Sequence, residues 1–535
     1  MIHVKNRKSW VTGGFLVLVA ALIGALVLTA CAPSGNGGNG GNGGNGYEPP
    51  PRPWVVRYGY SGGSMSGYLG LDPMSGAEIL KSLSGDILSG FDAETHEPIL
   101  YLATREEANR EELHTDHWIR EGVPFHNGDI MTAEDVAFSY NRMQDSDIVG
   151  AAASVTWSIF LDEAEVIDDH QVRLHWRGMG SPARTVNPFQ AIIVPENYIE
   201  EVGWEAWAES PVLSGPLKVV DWEHDIYVHF EKAFPEEGHW YWGDVPNYDE
   251  LIIEAVPEAA TRLAKLKTGE LDIASISSAN VPDVESDPNL TLATLQYSGV
   301  WCILFCDYDD PGTPLSDPRV REAVSLAIDR EGIAENVLYN TAEPWGNYWA
   351  PYMLGYEHRE PDPYDPDEAR RLLEEAGYPD GFDTYFHYPN SQEVVAQAVI
   401  ASLLEVGIRA QAQPYEVMTW YEKYQNDQLD GMSYTPQPLW GGTYYPDECF
   451  DQELRGWGAP VSGDIPEIQE AFNQILATET EEEMAAAAQA AEELVLDELG
   501  YKLVVWATHS PFAYGPTIED WDPAFPLFTA TYRES

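Results

Sequence analysis

Ile119-Arg120-Glu121-Gly122-Val123-Pro124-Phe125-His126-Asn127-Gly128-Asp129, running on into Thr132-Ala133-Glu134-Asp135-Val136 and then Phe138-Ser139, is the stretch on which the fold turns. In its second half the Thr132 hydroxyl can cap a helix while Asp135, three residues on, reaches back to the cap. Val136, Tyr140 and Met143 recur on one face beyond it, so the spacing predicts an amphipathic helix. Just upstream, His117-Trp118-Ile119-Arg120 alternates in the manner of a strand. A strand therefore gives way to a capped helix.

The same grammar extends outward in both directions. Residues 54–60 and 166–176 are short β-rich runs. Ser316-Asp317-Pro318 opens a helix in which Val320, Ala323, Val324, Ala327 and Ile328 form a buried stripe. Asp365 and Pro366 open another, through Ala369, Leu372, Leu373 and Ala376 to a stop at Gly377. The acidic, alanine-rich residues 467–498 predict two helices before a strand at 501–506. No internal repeat is visible, and short β-rich runs alternate with well-capped helices along the chain.

The chain of 535 residues exceeds what one core supports, so two or three lobes are expected. With 44% hydrophobic and 12% aromatic residues it is a folded, globular sequence. The formal net charge of −59 argues against nucleic acid as a partner. A surface this negative repels phosphates over a Debye length, about 8 Å at physiological salt, and no basic patch reverses the field. Such a surface is a soluble, self-repelling one, or else an adaptation to a saline or acidic habitat. Of the four cysteines, Cys31, Cys302, Cys306 and Cys449, none shows the CxxC spacing of a zinc site. On one strand, Cys302 and Cys306 would lie ~13 Å apart, beyond disulfide reach, so both are expected as packed thiols.

Lys5, Arg7 and Lys8 precede an apolar run over residues 15–28 that ends in Leu28-Thr29-Ala30-Cys31. This has the form of a signal peptide with a small-residue cleavage site. Leu-Thr-Ala-Cys also resembles the bacterial lipobox, in which the cysteine becomes the lipidated first residue of the mature chain. An uncleaved membrane anchor is the other reading, since the run is nearly long enough to span, and both place the body outside the membrane. The Gly/Asn-rich residues 32–46, followed by Pro49, Pro50, Pro51 and Pro53, predict a flexible then stiffer tether. Gly35 to Gly40 satisfies GxGxxG by accident, with no strand before it or helix after it.

Enzyme chemistry has little to stand on. The Gly-Lys dipeptide of a P-loop and HExxH are both missing. His114, Asp116 and His117 have ligating side chains, but the histidines fall on opposite faces of a strand, and a solvated strand edge is the expectation there. A carboxylate pair suited to glycoside hydrolysis remains a rival among the 88 acids. No catalytic residue, metal or cofactor is assigned, and the expectation is a binding protein, not an enzyme.

The segment from Ile119 to Ser139 resembles the signature of the family 5 extracellular solute-binding proteins, the peptide and nickel binders of ATP-binding cassette importers. Further segments agree, in the family's order: Ser214-Gly215-Pro216 with Trp222, Tyr241-Trp242-Gly243, Thr268-Gly269-Glu270-Leu271-Asp272-Ile273, Asp317-Pro318-Arg319-Val320-Arg321 through Ala327-Ile328-Asp329-Arg330, Tyr364-Asp365-Pro366, and Ala376-Gly377-Tyr378-Pro379-Asp380-Gly381. They are caps, turns and buried faces, and they span nearly the whole mature chain. The resemblance implies a periplasmic-binding-protein-like α/β fold of the large three-lobed class, two lobes joined by two hinge strands with a smaller lobe inserted. On that reading residues 1–30 are a lipoprotein signal peptide and 31–53 a tether. Lobe I comprises 54–90, 211–305 and 501–535, lobe II is the insertion 91–210, and lobe III is 306–500, with the chain crossing near Phe305 and returning near Tyr501. It implies a monomer that captures a small-molecule or peptide ligand outside the cytoplasmic membrane, held there by a lipid on Cys31, and passes it to importer permease subunits.

In peptide-binding relatives a loop resembling Trp-Gly-Ala-Asp-Tyr-Pro-Asp-Pro supplies an aspartate for the peptide's α-amino group. The matching stretch here is Trp440-Gly441-Gly442-Thr443-Tyr444-Tyr445-Pro446-Asp447. Thr443 stands where the aspartate would be and brings no charge, so the charge-assisted contact is missing unless another acid supplies it, with Asp447 the candidate. Trp301, Trp345, Tyr348, Trp349, Trp440, Tyr444 and Tyr445 supply aromatic surface in the segments expected to face the cleft, although aromatics are also ordinary core residues. Peptide is the first expectation for the ligand and oligosaccharide the second. Nickel and haem rank lower, because no histidine falls in the expected cleft segments.

Overall fold

The computed structural model describes residues 53–60, 83–91, 98–144, 161–177, 191–223, 226–236, 238–241, 243, 245–437, 445–446, 465–524 and 527–533. The signal peptide, Cys31 and the tether to residue 52 lie outside them, as do Trp440, Thr443, Tyr444 and Asp447. Among the described residues no helix is long and apolar enough to cross a membrane.

Strand Val55–Tyr60 runs parallel to Glu250–Ala255 on one side and Ile273–Ser275 on the other. Inner strands bury side chains on both faces. Val56 and Tyr58 pack with Phe230, Ile253 and Ile273, and the opposite face is closed by Leu263 and Leu266 of helix Ala259–Thr268 with Val281 and Val284 of Val281–Glu285. Antiparallel strands Tyr227–Lys232 and Leu217–Glu223 finish this half of the sheet.

Between Val55–Tyr60 and Leu217–Glu223 the chain builds a separate antiparallel sheet, in the order Ala103–Asn109, His114–Ile119, Gln171–Trp176, Leu161–Asp168. Helix Ala133–Asn141 covers it, with Val136, Tyr140 and the following Met143 fully buried. At its start the Thr132 N–H donates to Asp135 Oδ2 at 2.8 Å, the reach-back that the spacing predicts. His114–Ile119 is an inner strand and not the solvated edge expected: His114 and His117 are only 5% and 3% exposed. Arg173 grips the Asp116 carboxylate with Nε and Nη2 at 2.6 and 2.8 Å, and no group of metal-ligating side chains is found among the described residues. Alternation along one strand says nothing about how many neighbours it has.

The quoted segment meets the Gly-Pro turn in space. The His126 N–H donates to Leu213 O at 2.7 Å and its Nε2–H to Gly215 O at 2.9 Å. Gly215 in turn donates to Ser84 O at 2.7 Å, and a Cβ there would fall 2.5 Å from the Ser84 carbonyl carbon, so only glycine permits the approach. Nearby, Trp240 Nε1 donates to Asp86 at 3.0 Å while Arg120 lies over the Trp240 ring. Motifs scattered over more than a hundred residues thus form one junction that anchors the inserted sheet.

The second half of the large sheet carries parallel strands Phe382–Pro389 and Ile408–Tyr415, then Met432–Gln437. One face is covered by helices Pro318–Leu326, Arg330–Asn336, Pro366–Glu375 and Glu393–Glu405, the other by Val417–Gln425, Pro466–Leu476 and Glu481–Glu493. Caps fall where the sequence puts them: Asp317 accepts from the Arg319 N–H at 2.9 Å, and Asp365 from the Glu368 N–H at 3.0 Å. Gly377 ends the latter helix at φ +96°, a conformation that side chains disfavour. Cys302 and Cys306 remain thiols.

Candidate functional site

Two long antiparallel strands, Thr291–Phe305 and Lys502–Tyr514, join the halves of the sheet. Their first pairs, Thr291↔Tyr514 to Leu295↔Ser510, belong beside Ile273–Ser275, whereas Val300 to Phe305 pair with Met432–Gln437. Between Leu295 and Gly299 the register breaks, a bulge that bends the ribbon where one half passes to the other. The crossing therefore lies near Ser298 and His509. Phe305 and Tyr501, the positions expected for it, are both buried deep in the second half.

At the bulge, side chains replace the lost ladder bonds. The Tyr297 N–H donates to His509 Nδ1 at 3.1 Å, Ser298 Oγ to Thr508 O at 3.1 Å, and Thr508 Oγ1 to Gly299 O at 3.1 Å. Tyr297 takes φ 50°, the left-handed region, an uncommon setting for a tyrosine that places its ring between His509 (centroids 5.4 Å) and Trp345 (5.5 Å). Trp345 stacks in turn on Tyr356 at 5.9 Å and 10°. Burial holds the His509 imidazole below its ordinary pKa against the pull of Glu343, so it is neutral at pH 7. Because Nδ1 accepts, the proton sits on Nε2, which lies 3.7 Å from Glu343 Oε1. Burial first, then Glu343, pushes the Tyr297 phenol up.

The other face of the crossing, beside helix Val281–Glu285, holds a cavity of ≈ 180 Å³ lined by residues including Pro282, Glu285, Thr294, Glu335, Asn340 and Pro511. There Ser278 Oγ and Thr341 Oγ1 meet at 2.6 Å.

Of the described residues singled out in the sequence, only Trp345 belongs to the cluster at the crossing. Trp301 lies on the opposite face of the sheet, stacked on Tyr434 at 4.7 Å, because it alternates with Val300 and Cys302 along the strand. Tyr348 and Trp349 are fully buried core residues beneath helix Glu481–Glu493, out of reach of any ligand in this arrangement. Tyr445 is likewise in the core, its hydroxyl donating to Glu481 at 3.0 Å. Sequence reasoning missed Tyr297, Glu343, Tyr356 and His509. It also missed that a histidine stands at the crossing.

A family model for bacterial extracellular solute-binding proteins, family 5, middle region, matches residues 97–452. The chain belongs to this family. The matched region takes in the inserted sheet, the junction around His126 and the first crossing strand of this family 5 protein. Heme-binding protein A of Haemophilus influenzae is 27% identical over 341 residues, 58% of this chain and 61% of that protein. The glutathione-binding protein GsiB of Shigella boydii is 29% identical over 304 residues, 55% of this chain and 56% of its own. This chain thus aligns with rather more than half the length of each of these curated relatives. Among solved structures, the periplasmic binding protein DppA of Helicobacter pylori in complex with the peptide STSA superposes with a TM-score of 0.71, at 21% identity, covering 90% of this chain and 98% of that one. That likeness establishes the shared fold.

Proposed function

We propose that this family 5 protein captures a short peptide between the two halves of its sheet and hands it to the permease of an ATP-binding cassette importer. The observation that carries the reading is the bulged two-strand crossing, with separately cored halves on either side and an aromatic, acidic cluster beside it. A ligand touching both halves favours the arrangement in which they approach, and a hinge of two strands lets that population shift. Peptide is favoured over other solutes by two relatives, one named for glutathione and one solved with a tetrapeptide. The test is a thermal-shift screen of the protein against peptides, oligosaccharides, haem and nickel, followed by mass spectrometry of the bound solute after long incubation. A ligand at a hundred times its dissociation constant adds about 2.7 kcal/mol. A peptide that stabilises the protein and is recovered intact supports the reading. An oligosaccharide as the sole stabilising class would replace peptide as the cargo, and cleavage of the solute would replace binding with hydrolysis.

The sequence around Leu28-Thr29-Ala30-Cys31 supports a lipid anchor on Cys31 that keeps the protein at the outer face of the cytoplasmic membrane. Cys31→Ala is expected to abolish metabolic labelling with a fatty acid and to release the protein from the membrane fraction. A labelled product from the variant would exclude Cys31 as the attachment point.

A further inference from the structure

Arg110 stands at the tip of the first hairpin of the inserted sheet, in the turn between Ala103–Asn109 and His114–Ile119. The turn is held firmly. Asn109 Oδ1 accepts the Glu112 N–H at 3.1 Å, Leu113 takes φ 55°, and its carbonyl accepts the Trp176 N–H at 2.7 Å. From this tip Arg110 Nη1 donates to Thr478 O at 2.9 Å, reaching across 368 residues of sequence into the second half of the molecule. Thr478 closes helix Pro466–Leu476: its N–H and its Oγ1 both donate to Ile475 O, at 3.3 and 2.8 Å, and it is buried. A guanidinium there meets the negative end of the helix dipole. Glu479, Glu481, Glu482 and Glu483, next in the chain, add negative charge.

In a chain with 88 acids against 29 lysines and arginines, Arg105, Arg319, Arg370 and Arg371 each pair with a carboxylate two to four residues away. Arg110 has Glu111 and Glu112 beside it, yet among the described residues it forms no ion pair and directs its charge to a distant carbonyl. The inserted sheet is anchored to the first half through His126 and Gly215, and its buried core shares no residue with the cores of the second half. A polar contact between separately cored bodies can break and form again.

We propose that the inserted sheet works as a clasp: with Arg110 on the Thr478 carbonyl it holds the two halves of the large sheet in one relative arrangement before any solute arrives. Two crossing strands alone leave a hinge free to swing, and a third attachment away from them closes a ring and restrains it. One charge-assisted hydrogen bond at a half-buried surface is strong enough to bias such a hinge and weak enough to release it. The inference concerns the solute-free protein and holds whatever the cargo is.

The experiment measures the separation of the inserted sheet from the second half by pulsed electron paramagnetic resonance on the exhaustively dialysed full chain. Nitroxides are attached through a keto amino acid placed at the exposed positions Glu163 and Glu470, which leaves the native cysteines untouched. With Arg110 in place a short separation is expected to dominate. Arg110→Ala and Arg110→Glu are expected to move the ratio of short to long separations about tenfold toward long, and Arg110→Lys, which keeps a cation, to restore much of it. Identical distributions in all four proteins overturn the clasp, and so does a wild type that shows only the long separation. Hydrogen exchange that quickens at residues 110–113 while the separations stay put would mean that Arg110 steadies only its own hairpin, which overturns it too. Should Arg110→Glu melt below wild type, Arg110→Ala against Arg110→Lys decides by the same criterion: a shift in the first that the second reverses supports the clasp, and equal distributions overturn it.

Discussion

His126 shows how much one side chain can commit. Its Nε2–H is used on Gly215 O, and its buried Nδ1 has no hydrogen-bond partner among the described residues. Protonation would place a charged N–H where nothing accepts it, and burial accordingly lowers the pKa to about 4. The sign follows from linkage. A folded-state pKa below the unfolded value of 6.5 gives stability that is present above pH 6.5 and lost as the pH falls toward 4. At most about 3.4 kcal/mol is at stake for a pKa lowered from 6.5 to about 4, at about 1.36 kcal/mol per unit. Thermal melts between pH 7 and pH 4 are expected to show a decline that His126→Gln, which keeps an amide donor for Gly215, makes shallower. Identical slopes for the two proteins would assign the acid sensitivity to other groups. The residue was visible in the sequence as part of a motif, but its partner was not, because Gly215 lies 89 residues away.

At the scale of the element, the crossing strands hold together at their weakest point by side chains. Removing one hydroxyl while keeping its shape, Thr508→Val, takes away the bond to Gly299 O and leaves that carbonyl short of a donor, a loss of about 0.5–1.5 kcal/mol. Hydrogen exchange is expected to quicken at residues 297–299 and 508–509 while the helices on either half keep their protection; a uniform change across the protein would mean that the bulge is not a separate opening unit. What was legible in the sequence divides along this line. Asp317, Asp365 and Gly377 are local devices acting within a few residues, and each does what its spacing predicts. The bulge belongs to two strands whose facing residues, Tyr297 and His509, are 212 positions apart, and no pattern in either strand announces it. The same separation hid the cluster, since Glu343, Tyr356 and His509 each look ordinary in their own segment. Trp301 and Tyr348 misled for the converse reason: aromatic rings are as good for filling a core as for greeting a ligand, and the face they take depends on register.

Taken whole, the molecule balances a formal charge of −59 against several separate hydrophobic cores. Repulsion among surface carboxylates opposes compaction and is long-ranged at low salt, where the Debye length is about 30 Å in 10 mM salt against about 8 Å at physiological strength. The melting temperature is expected to climb by several degrees between those conditions, read by calorimetry in potassium chloride. A flat response would show that the carboxylates are too well hydrated or too well paired for their mutual repulsion to matter. The order of strands in the large sheet carries a different lesson, about assembly. Lys502–Tyr514 lies in the interior, between Thr291–Phe305 and Ile273–Ser275, yet it is made long after both. Until it arrives, a growing chain presents two unfinished half-sheets, each with a bare hydrogen-bonding edge at what will become the centre, the kind of edge that recruits strangers. The strand that lets the finished protein flex is thus also the keystone that ends its vulnerable period, and nothing short of a chain reaching Tyr514 can set it in place.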